Sequence, residues 1–139
     1  MQDRNVKGYL KQIAEKLNGN YTEYTEDLVI ITIPLEGKPD RFQSVKALIT
    51  EKEGQLRLIF TSTVCRIHEY PNIDFRHLLE ENYDLIYAKI CITDEDYLEV
   101  MSSINYDLCT LDELYYMILE TVKKADALEA EVTEGKDVH

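Results

Sequence analysis

Apolar residues recur at helical spacing over residues 3–17. Val6, Leu10, Ile13 and Leu17 fall at i, i+4, i+7 and i+11, with Tyr9 and Ala14 beside them, which makes one face of an amphipathic helix. Asp3 is placed to cap its start, and Asn18-Gly19 to stop it in the left-handed conformation. Gly8 in its interior costs about 1 kcal/mol against alanine, which points to close approach by another group.

The period then changes to two. Residues 21–25 and 28–35 read as one strand, or as two broken at Glu26-Asp27. Residues 28–33 are apolar on both faces, which predicts cover on both sides. Pro34 belongs at a strand end or an edge because it cannot donate to a sheet ladder, and residues 37–40 follow as a turn. Residues 42–51 alternate, with Val45, Ala47 and Ile49 on one face and Ser44, Lys46 and Thr50 on the other. A hairpin through Lys52-Glu53-Gly54-Gln55 returns the chain along residues 56–64. There Leu56, Leu58 and Phe60 face one way, and Arg57, Thr61 and Thr63 the other.

Residues 65–73 read as a loop, and Asp74 as the cap of a short helix over 75–83 with Phe75, Leu78 and Leu79 on its apolar side. Asn82 is placed to stop it. Residues 85–105 then form a hairpin whose arms, 85–93 and 97–105, flank the turn Asp94-Glu95-Asp96. Ile86, Ala88, Ile90 and Ile92 are the expected inward set. Because Leu85, Tyr87 and Cys91 are apolar too, the first arm is expected to be a central strand. Thr110-Leu111-Asp112-Glu113 is a capping box, opening a helix to about residue 131 along a stripe of Leu111, Leu114, Ile118, Ala125, Leu128 and Val132, widened by Tyr115, Leu119 and Val122. The expected organisation is a single domain over residues 1–132 with a polar tail over 133–139. The order α-β-β-β-α-β-β-α predicts an α+β fold, one antiparallel sheet with helices packed on it.

Composition narrows the function. The 139 residues are 45% hydrophobic and 30% charged, with a net charge of −12, so the chain repels nucleic acid phosphates rather than displacing their counterions. The charge is uneven: residues 1–20 carry four basic and two acidic groups, residues 110–139 three basic and eight acidic. Neither a bilayer-length apolar run nor a secretory leader is visible, and the three scattered cysteines suit a reducing compartment. The expected location is the cytoplasm, away from membranes.

Candidate chemistry is sparse. Cys65 and His68 form a Cys-x-x-His pair, but no second pair completes a zinc site. His77 and Glu81, at i, i+4, have the spacing of an acid–base pair and equally that of a solvated helix face. Asp94, Glu95 and Asp96 lack the glycine and ligand spacing of a calcium loop. With five glycines there is no phosphate-cradling loop or nucleophile elbow. No catalytic, cofactor or metal residue is therefore assigned. Ten tyrosines and no tryptophan point instead to an interface, where tyrosine joins apolar area to a polar tip. The candidate partner-binding residues are Tyr9, Tyr115, Tyr116 and Leu119.

Four strings give the chain a familiar look: Ile33-Pro34-Leu35, Leu78-Leu79-Glu80-Glu81-Asn82, Leu85-Ile86-Tyr87-Ala88-Lys89 and Ala125-Asp126-Ala127-Leu128-Glu129. With the order of elements, they resemble the type III secretion chaperone-like fold and, within it, the YbjN-like family of bacterial proteins. The resemblance implies a small, acidic, non-enzymatic, often dimeric protein. Secretion chaperones of this fold hold an extended effector segment along apolar helix and sheet surfaces, and YbjN-like proteins are regarded as regulators without a defined ligand. No functional residue carries over from either. The expectation is a homodimeric protein-binding module, chaperone-like or regulatory, taking a protein partner or effector segment. The alternative is a small-molecule or ion-sensing domain with a pocket around His68 and Asp74.

Overall fold

The computed structural model describes residues 5–35 and 37–137. Helix α1 (Val6–Lys16) begins at Asn5, whose Oδ1 accepts from the Gly8 N–H at 3.0 Å; the expected cap, Asp3, lies outside the described residues. Gly8 is where that capping side chain sits, since a Cβ there would meet Asn5 Nδ2 at 2.3 Å. The helix ends with Asn18 at φ +59°, the Asn18 N–H donating to the Glu15 carbonyl and the Gly19 N–H to that of Ala14. This is a Schellman stop with asparagine in the left-handed position.

The chain then forms β1 (Asn20–Glu23), β2 (Leu28–Leu35), β3 (Lys38–Lys52) and β4 (Gln55–Arg66). The break at Glu26-Asp27 therefore makes two strands. Pro34 lies beyond the reach of β1, whose pairing ends at Asn20 opposite Thr32, so its missing N–H leaves no gap in that ladder. Gly37 (φ +77°) carries the next turn, and Lys38 already pairs with Leu35. Glu53 and Gly54, both at positive φ, make the two-residue turn between β3 and β4, the geometry that matches strand twist.

Helix α2 (Phe75–Glu81) is capped by Asp74, whose Oδ1 accepts from the His77 N–H at 3.1 Å. Strands β5 (Lys89–Ile92) and β6 (Tyr97–Asn105) follow, then α3 (Leu111–Asp137). Thr110 Oγ1 accepts from the Glu113 N–H at 3.1 Å. The helix runs six residues past position 131, through most of the expected tail.

All six strands form one antiparallel sheet in the order β1-β2-β3-β4-β6-β5. Its inner face buries Val29, Ile31, Val45, Ala47, Leu58, Phe60 and Val100 under the helices. One core lies below α1 and the first half of α3. A second lies below the rest of α3 and α2, around Leu78, Ile90, Leu98, Ala125 and Leu128. Two hydroxyls mark the waist between them: Ser102 and Thr121 are buried and hydrogen-bonded at 3.0 Å, and Thr121 also donates to the Met117 carbonyl at 2.7 Å, so both are satisfied within the core.

Two expectations about the strands are corrected. Residues 28–33 are not covered on both sides: Val29, Ile31 and Ile33 are buried, but Leu28 and Ile30 lie half-open on the outer face, level with exposed Leu48. The first arm of the 85–105 hairpin is not central. Only Lys89–Ile92 is strand, and it is the sheet edge. Of its expected inward set, Ala88 and Ile90 are buried while Ile86 is 79% and Ile92 52% exposed.

Candidate functional site

Residues 86–88 stand off the sheet with their amides turned to a single carboxylate on α3. Glu120 Oε2 accepts from the Ile86 N–H at 3.0 Å, and Oε1 accepts from the N–H groups of Tyr87 and Ala88, both at 2.7 Å. Three consecutive amides, which in a strand would point alternately to its two sides, are spent on one side chain. Burial alone would raise the Glu120 carboxyl, but these three donors outweigh it and hold the group below the usual carboxylate range.

Pinned in this way, the segment and the outward face of α3 enclose an apolar groove of about 600 Å³, with Leu85, Ile86 and Tyr87 on one wall and Tyr116, Leu119 and Ala127 on the other. Ile86 projects from it, and Tyr116 is 55% exposed. Exposed Lys123 and half-buried Lys124 stand at its edge; Lys124 Nζ is hydrogen-bonded to Glu81 Oε1. Grouped exposed apolar side chains of this kind mark interaction surfaces more often than scattered ones do.

The structure divides the candidate residues. Tyr116 and Leu119 meet in the groove. Tyr115 is the neighbour of Tyr116, their rings edge to face with centroids 5.3 Å apart, but it turns toward α1. It lines a separate hollow with Ile13 and Leu111, and Lys16 Nζ lies 4.5 Å from its ring centroid, a cation–π distance. Tyr9 is not in the groove; it packs half-buried against the first core. Sequence reasoning missed Ile86 as a surface residue. It also missed a smaller apolar hollow of about 160 Å³ between α2 and β5, where Phe75, Leu79 and Ile92 are exposed.

The remaining candidate chemistry is scattered. His68 does not join Cys65; its Nε2 lies 3.2 Å from Asp96 Oδ2 on the surface. Burial, then the charges of Glu69 and Glu129, push the Cys65 thiol up, which disfavours the thiolate a metal or electrophile needs. Asp94 to Asp96 form a tight turn closed by the Asp96 N–H on the Thr93 carbonyl, with Asp96 at φ +64°. Asp74 lines a cavity of about 220 Å³ with Tyr70, Ile73, His77 and Glu131; His68 is not part of it. His77 does meet Glu81, Nε2 to Oε2 at 3.1 Å, and also Glu131 of α3 at 3.6 Å. No helix among the described residues is long and apolar enough to cross a membrane.

Among solved structures, the chain is similar to a chain of the crystal structure of the ExsC–ExsE complex. The two share 15% identity with a TM-score of 0.62, over 92% of this chain and 93% of that one. At that identity the likeness shows the fold, which is α+β and type III secretion chaperone-like. No protein-family model and no curated protein matches the chain.

Proposed function

We propose that this protein is a non-catalytic protein-binding module, chaperone-like or regulatory, that works as a cytoplasmic homodimer and holds an apolar segment of a partner protein. The observation that carries this reading is the groove formed by Ile86, Tyr116 and Leu119. It is apolar and open, and the Glu120 hydrogen-bond clamp holds its wall in place before anything binds. Preorganisation of that kind lowers the ordering cost of association. The fold is shared with a chain found in a two-protein complex, and the sequence strings resemble the YbjN-like family, both in keeping with a protein partner. A net charge of −12 favours partners whose flanking residues are neutral or basic.

Light scattering on the purified protein tests the dimer: a mass near twice the 16.2 kDa of one chain supports it, and a monomer at tens of micromolar contradicts it. The surface is tested by Leu119→Asp, which places a charge in the groove and should abolish retention of the partner while the circular dichroism spectrum is unchanged.

A second reading, a ligand-sensing domain, rests on the 220 Å³ cavity bounded by Asp74, His77 and Glu131. Its size suits a small molecule or a few waters rather than a large ligand. A metabolite that binds only the folded state must raise the melting temperature, so a thermal-shift screen separates this reading from the first.

A further inference from the structure

We propose that His77, Glu81 and Glu131 form a binding site for a divalent transition-metal ion, with zinc the best match. His77 and Glu81 stand four residues apart on α2 and so share one helical face. Glu131 reaches the same point from α3. One ligand atom from each, the imidazole nitrogen and two carboxylate oxygens, lies within 4.8 Å of the other two. The His77 Nε2 distances are 3.1 Å to Glu81 Oε2 and 3.6 Å to Glu131 Oε1. Four-coordinate zinc with bonds of about 2.0–2.1 Å has ligands roughly 3.3 Å apart, so the two edges that meet at His77 already lie near those of the coordination polyhedron.

A separate observation points to a cation there. Glu81 Oε2 is buried and accepts no hydrogen bond, even though His77 Nε2 is 3.1 Å away. Oε2 lies at ion-pair distance from His77 Nε2 without a well-aligned hydrogen bond, and an ion between the three groups would engage it directly. The other oxygen, Oε1, is held by Lys124. That contact fixes the carboxylate plane and leaves Oε2 free for the metal, the role that outer hydrogen bonds play around protein metal sites.

The donor set, one nitrogen and two oxygens, suits zinc or a neighbouring transition metal better than calcium or magnesium, which take all-oxygen sites with more ligands. His77 and Glu131 are half-exposed, so solvent can supply the fourth ligand. Bound metal would tie α2 to α3 across the mouth of the 220 Å³ cavity that both residues line. The inference does not depend on the protein-binding reading.

The test is zinc titration of the untagged, EDTA-treated and dialysed full chain by calorimetry, with magnesium as the control and melting temperature as a second readout. The expected result is one zinc per chain, a raised melting temperature, no effect of magnesium, and cobalt binding with the visible absorption of a four-coordinate ion. His77→Ala and Glu131→Gln should each weaken zinc by about ten-fold or more. His68→Ala, at a surface histidine outside the cluster, should leave it unchanged. Absence of zinc binding overturns the proposal and leaves the three groups as an ion-pair network. So does binding that survives His77→Ala, or that His68→Ala weakens as much.

Discussion

The side-chain amide of Asn82 occupies the position of a missing strand beside Ile90. Its Oδ1 accepts from the Ile90 N–H at 2.6 Å and its Nδ2 donates to the Ile90 carbonyl at 3.2 Å. Ile90 is the second residue of the edge strand β5, so both backbone groups that would face a seventh strand are already used. An edge closed in this way cannot template pairing with another chain at that residue.

Asn82→Ala should therefore loosen the edge without unfolding the sheet. The expected loss is about 1–2 kcal/mol, the scale of leaving buried backbone groups unsatisfied. Amide exchange at Ile90 should accelerate while Val100, opposite it on β6, stays protected. Unchanged exchange at Ile90 would show that the amide does not guard the edge.

Glu120 gives a pH signature. Its folded carboxyl titrates below the ordinary range because of the Ile86, Ala88 and Tyr87 N–H groups. As pH falls, the unfolded chain takes up this proton first, near pH 4.3. The stability that Glu120 contributes is thus complete above that value and is lost as pH falls toward the lower folded one. Glu120→Gln should cost about 2 kcal/mol at pH 7, as expected for hydrogen bonds to a charged group. In urea unfolding the gap between wild type and variant should narrow by pH 3.5; a gap that stays constant would contradict the clamp. The variant should also loosen the groove wall and weaken partner binding.

Two glycines predict opposite outcomes. A Cβ at Gly19 would lie 2.5 Å from the Thr32 carbonyl oxygen, which is fixed in β2, whereas a Cβ at Gly8 would strike only the movable side chain of Asn5. Gly19→Ala should destabilise by about 1–3 kcal/mol through forced backbone movement. Gly8→Ala loses a cap worth about 1 kcal/mol and gains about as much helix propensity, so its urea midpoint should hardly move. Equal midpoints for the two variants would remove the close approach of the α1–β1 turn to β2 as the reason for Gly19.

Much of the fold was legible because it is set locally. The alternation of Val45, Ala47 and Ile49 and the Glu53-Gly54 turn each depend on a few adjacent residues and appear as read; of the capping box, the Thr110 half is formed. The placement of residues 85–88 was not legible. Leu85-Ile86-Tyr87-Ala88 has the composition of a buried strand, and only Glu120, 34 residues beyond Ile86, draws its amides away from the sheet. The candidate surface divides along the same line. Tyr116 stands outside the apolar stripe of α3 and Leu119 on its widened edge, so helical spacing places both toward the surface. Tyr9 could not be told from a core-edge ring, because what covers it comes from elsewhere in the chain. Glu131 likewise joins His77 and Glu81 only through the packing of α3 against α2.

The most direct measurement is affinity purification from the native cell with wild type and Leu119→Asp in parallel, both verified as folded, with co-purifying proteins quantified by mass spectrometry. If the groove is the partner-binding surface, a defined protein is retained by wild type and lost, by about ten-fold or more, with the variant, since a charge in an apolar contact costs well over 1.4 kcal/mol. The same proteins retained equally by both would contradict it.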